Sequence, residues 1–142
     1  MYGVHGVRVN LLARVATVLA VGALCSVAAV AAGESTGRGA GLGESTALET
    51  LLEGGVTALF VGVGFALLAV ASRWMSVAGS MATLAAMVVL SGWVSVDMWN
   101  SSNALDGLMV LVLIVVLPPV AMAGALLDVG GRALARRLRA AS

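Results

Sequence analysis

Met75–Val96, MSVAGSMATLAAMVVLSGWVSV, runs for 22 residues without a charge. As a helix it would be about 33 Å long, enough to cross ~30 Å of hydrocarbon. Trp74 stands just before it, and Trp93 and Trp99 lie at its far end. Amphipathic indoles favour the two lipid–water boundaries, so both ends are marked. Ser76, Ser80, Thr83, Met87 and Ser91 recur at spacings of 4, 3, 4 and 4. On a helix those positions share one face. The stretch reads as the inner helix of a membrane bundle, with Ser76, Ser80, Thr83 and Ser91 as a packing or pore-lining stripe.

Composition agrees with that reading. The chain has 142 residues, 61% hydrophobic and 11% charged, whereas a soluble domain carries roughly 25% charged residues. So few polar groups could not cover the apolar surface in water. All eight basic residues are arginine, a usage that fits a GC-rich bacterial genome. The lone cysteine, Cys25, lies inside an apolar run and is expected to pack as a small apolar side chain.

Working outward, residues 55–71 form a second apolar span, joined to the first by Ser72-Arg73. So short a turn predicts that these two helices are antiparallel neighbours. Gly54, Ala58, Gly62 and Ala66 recur every fourth residue, a small-residue face on which another backbone can approach closely. Residues 107–127 form a further span, interrupted by Pro118-Pro119. The prolines predict a kink, because the carbonyls of Ile114 and Val115 lose their helical donors. In lipid those carbonyls need another donor, and the expectation is Ser91 or a water. Residues 15–32 form the remaining uncharged run. It suits a transmembrane helix, the favoured reading, or the apolar core of a cleaved signal peptide.

The polar stretches alternate in charge. Residues 33–54 hold four glutamates, Arg38 and a glycine-rich sequence, expected to form flexible chain. A two-turn surface helix should follow, opened by a capping box at Thr46 and Glu49 and closed at Gly54-Gly55. Residues 97–106 form an acidic polar turn. Arg8 and Arg14, then Arg73, then Arg132, Arg136, Arg137 and Arg139 occupy the other three segments. The positive-inside rule places all of these in the cytoplasm. The expected fold is therefore an all-α, four-helix transmembrane bundle in one domain, with both termini cytoplasmic and loop 33–54 outside the cell membrane. The tail 128–142 reads as a basic amphipathic helix on an anionic leaflet. Arg73, Arg132, Arg136, Arg137 and Arg139 are the expected lipid-headgroup contacts, and nucleic acid is not an expected partner.

Catalytic chemistry finds no purchase in this sequence. His5 is the single histidine, near the N-terminus, with no partner for a metal site or a triad. There is no phosphate-cradling glycine motif, and no cofactor or metal is expected. No ionisable residue lies deep in a span, where proton- or ion-coupled transporters usually keep one. The expectation is a non-catalytic multi-pass protein that packs against membrane partners or its own copies. The alternative is a pore former, either a small channel subunit or a holin-like protein.

Overall fold

The computed structural model describes residues 3–39, 47–100 and 109–141, with side chains over 10–32, 54–100, 109 and 111–141. The chain folds into four helices: α1 (Gly3–Gly39), α2 (Ala47–Ala71), α3 (Val77–Asn100) and α4 (Met109–Ala141). Each is long and apolar enough to cross a membrane, and the qualifying segments are Asn10–Ala32, Gly54–Ala71, Val77–Asn100 and Leu111–Ala141. Leu59, Val89 and Leu126, at about 70% exposure, and many other large apolar side chains cover the outside. Such a surface belongs in hydrocarbon, where apolar contact with solvent carries no cost.

The helices are longer than the apolar runs. Helix α1 continues to Gly39 where flexible chain was expected. Helix α2 passes unbroken through Gly54-Gly55, where a surface helix was expected to stop. Two glycines cost a helix about 2 kcal/mol together, and the run of apolar residues that follows outweighs this. In lipid, moreover, a break would leave backbone groups without partners. Thr46 of the proposed capping box lies outside the described residues, as do residues 101–106 of the expected polar turn. Helix α3 reaches Asn100, so Asp97 is helical and exposed. The basic tail is not a separate helix but the continuation of α4, which stays helical through Pro118 and Pro119.

Packing order corrects the expectation from the short turn. Helix α1 packs against α2 and α3, and α4 packs against α2 and α3, while α2 and α3 lie across the diagonal and barely touch. Two antiparallel hairpins, α1–α2 and α3–α4, are thus laid side by side. The connection runs over five residues, Ser72–Ser76. Neighbouring axes are about 8–10 Å apart, so a diagonal is about 11–14 Å, and five residues reach roughly 17 Å. The turn is therefore long enough to cross the bundle.

Glycines set how near the helices come. A Cβ placed on Gly22 of α1 would lie 2.6 Å from the Cβ of Phe65 in α2. One placed on Gly64 of α2 would lie 2.6 Å from the Cβ of Leu117 and 3.3 Å from the nitrogen of Pro118 in α4. Phe65 and Leu117 are fully buried as a result, together with Val18, Val61, Leu68, Met87, Met98 and Leu113. Gly64→Val should lower stability by about 1–3 kcal/mol through overpacking. Gly55→Ala, which meets nothing within 4 Å, should be neutral or stabilise by up to about 1 kcal/mol. Thermal unfolding in detergent, followed by circular dichroism, measures both.

Candidate functional site

Two features stand out in the bundle: a polar clasp at one end and an apolar groove on one side. The clasp begins with Ser76, which directly precedes α3. Its hydroxyl accepts a hydrogen bond from the Gly79 N–H at 2.9 Å, the geometry of an N-cap. A local capping box would supply a glutamate three residues on, but that position is glycine. The carboxylate comes instead from α4. Asp128 accepts from the Ser76 N–H at 2.7 Å through Oδ2 and from the Ser76 hydroxyl at 2.6 Å through Oδ1. A Cβ on Gly79 would collide with this carboxylate, so glycine there admits the partner that glutamate would otherwise replace.

Arginines close the clasp. Arg132 pairs with Asp128 Oδ2 at 2.8 Å and donates to the Asp128 and Trp74 carbonyls. Arg14, from α1, donates to the Met75 carbonyl at 3.4 Å. Arg73 is exposed on the same turn. Three of the arginine-bearing segments thus meet at one end of the bundle, while Arg136, Arg137 and Arg139 follow on an exposed stretch of α4 beyond it. Asp128 was not expected to have a role. It is the only acid in the arginine-bearing segments 1–14, 72–74 and 128–142, and that isolation was the available signal.

The stripe on α3 faces inward. Ser80, Thr83 and Ser91 are buried, alongside Leu84, Met87, Val94 and Met98. Ser80 donates to the Val77 carbonyl at 3.0 Å and Thr83 to the Gly79 carbonyl at 2.9 Å, so both hydroxyls are satisfied within α3. Thr83 also fills the space that a side chain at Gly124 of α4 would take. The contacts 79–128 and 83–124 define an antiparallel register that puts Ser91 level with residue 116. That is the depth of the carbonyls released by the two prolines, yet the Ser91 hydroxyl has no partner, and nor does that of Ser95. The expected bond from Ser91 is therefore not made.

The groove lies between α1 and α2. Gly22, Ala23 and Ser26 line one wall, and Gly55, Ala58, Gly62 and Ala66 line the other, with Leu19, Val27, Leu59 and Val63 at the rims. Gly62 faces Ser26, whose hydroxyl is already bonded to the Gly22 carbonyl at 2.8 Å. Of the expected small-residue face of α2, Ala58, Gly62 and Ala66 thus look onto this groove, while Gly55 lines it in place of Gly54. The matching Gly22 and Ser26 of α1 were missed, although their spacing of four carries the same signal. Among the described residues no three His, Cys, Asp or Glu side chains group as metal ligands. No protein-family model matches the chain, and no curated protein or solved structure matches it.

One variant tests the clasp and another tests the buried stripe of α3. Ser76→Ala should cost about 1–2 kcal/mol as the cap is lost. Ser91→Ala, which removes an unpartnered hydroxyl, should leave stability unchanged or raise it by up to about 1 kcal/mol. Melting temperature in detergent measures both.

Proposed function

We propose that this protein is a non-catalytic, multi-pass protein of a bacterial cell membrane that acts by packing against another membrane-embedded helix. The observation that carries the proposal is the α1–α2 groove. It is apolar, open on its outer side and floored by small residues from both helices. In lipid, where apolar surface alone gives no drive to associate, small residues allow the backbone proximity from which dispersion contacts gain. The hydroxyl stripe of α3, by contrast, lies inside the bundle with two of its members bonded to their own helix. Placing the arginine end in the cytoplasm, with both termini there, follows from the positive-inside rule.

A second reading is a pore. It draws on the unpartnered hydroxyls of Ser91 and Ser95 on the inner side of α3, which water in an oligomer would satisfy. One experiment separates the two. With Cys25 replaced by alanine, Ala66→Cys should cross-link in native membranes to a neighbouring helix, whether from a second copy or from a different protein. Adding Ala58→Leu should reduce that product several-fold by filling the groove. Single cysteines at Ser80 and Thr83 should resist water-soluble maleimide. Rapid labelling there, with no cross-link at position 66, would replace packing with the pore.

A further inference from the structure

The arginine end of the bundle holds an imbalance that the clasp does not resolve. Arg14 lies within the apolar segment Asn10–Ala32, level with Met75, and is half-buried. A guanidinium has five donors and stays ionised at any relevant pH. Arg14 reaches one carbonyl, at 3.4 Å, while its Nε is buried with no hydrogen-bond partner. A carbonyl is a dipole and does not neutralise a charge. At this end the carboxylate among the described residues, Asp128, already has Oδ1 on Ser76 and Oδ2 shared between Ser76 and Arg132. Arg73 adds another cation on the same turn, and Trp74 beside it is 64% exposed, as suits an indole at the level of lipid headgroups. A half-buried cation at the membrane edge is costly unless an anion pairs with it.

We infer that this end binds the phosphate of one anionic phospholipid, with Arg14 as its inner ligand, Arg73 as its outer one, and the acyl chains running down the apolar surface below Trp74. Phosphate suits the site because its oxygens accept from a planar guanidinium in pairs. Depth favours the lipid over a free anion, since headgroup phosphates are concentrated at the level where Arg14 emerges. The Asp128–Arg132 pair holds the turn whose Met75 carbonyl positions Arg14, so Arg132 orients the site more than it binds. This inference rests on membrane embedding. If that fails, the chain is soluble without detergent, whereas failure of the lipid site leaves detergent-folded protein with no lipid selectivity.

The test uses the purified full chain in neutral detergent, with melting temperature followed as phosphatidylglycerol is titrated against phosphatidylcholine. Phosphatidylglycerol should raise the melting temperature saturably, and phosphatidylcholine should not. Arg14→Gln should raise the half-saturating concentration about tenfold or more, the effect of losing a charged hydrogen bond. Arg73→Gln should raise it by about threefold, and it serves as the reporting variant if Arg14→Gln does not fold. The double variant Arg136→Gln/Arg137→Gln removes general headgroup contacts from the exposed stretch beyond the bundle and should raise the half-saturating concentration less than Arg14→Gln does. An unchanged response in both Arg14→Gln and Arg73→Gln overturns the site. So does a larger rise in the tail variant than in Arg14→Gln, which would move the selective site to α4. Sodium phosphate at matched ionic strength should give no shift, and an equal shift would make the ligand a free anion and overturn the lipid assignment.

Discussion

Close backbone approach is the constraint on which this bundle depends. Helices in hydrocarbon gain nothing from hiding apolar surface, because lipid is as apolar as leucine. They gain from dispersion contacts, which fade within an ångström of separation. Gly22 against Phe65 and Gly64 against Leu117 supply that closeness for α1–α2 and α2–α4, and Gly79 and Gly124 supply it for α3–α4. In all four pairs the partner is bulky or hydrogen-bonding, so each glycine makes room for a particular side chain.

Polar groups follow a different logic. Inside the span, the hydroxyls of Ser26, Ser80 and Thr83 return to their own helix. At the arginine end they reach between helices, because a helix start leaves N–H groups to satisfy. The clasp meets that need at α3 with a carboxylate from α4, and the same carboxylate fixes Arg132. Cap, ion pair and helix register are thus coupled through one side chain, which makes Asp128 more consequential than its place in a basic tail implies.

Much of the architecture was legible in the sequence. Four uncharged runs of spanning length gave four helices, because hydrocarbon permits little else. The inward face of α3 was legible from the 4-3-4-4 spacing, and the small-residue face of α2 from its spacing of four. What was not legible was pairing. Two neighbouring spans with a short link suggested direct contact, but Gly62 faces α1 and Gly64 faces α4, and nothing local in the sequence announces which neighbour each will meet. The clasp escaped for the same reason: Ser76 and Asp128 are 52 positions apart. Helix ends were misread because Gly54-Gly55 and the glycines near residue 39 were judged as in water, where breaking a helix is cheap.

The diagonal crossing between α2 and α3 also has a consequence for the order of events during synthesis. Each hairpin consists of consecutive helices, so α1 and α2 can seat against each other before α3 has left the ribosome. The clasp must wait for residue 128, which is made 52 residues after its partner Ser76. Over that interval the nascent protein lies in the bilayer as one finished half and one unfastened half. Helix α4 is the one that shuts the arginine end.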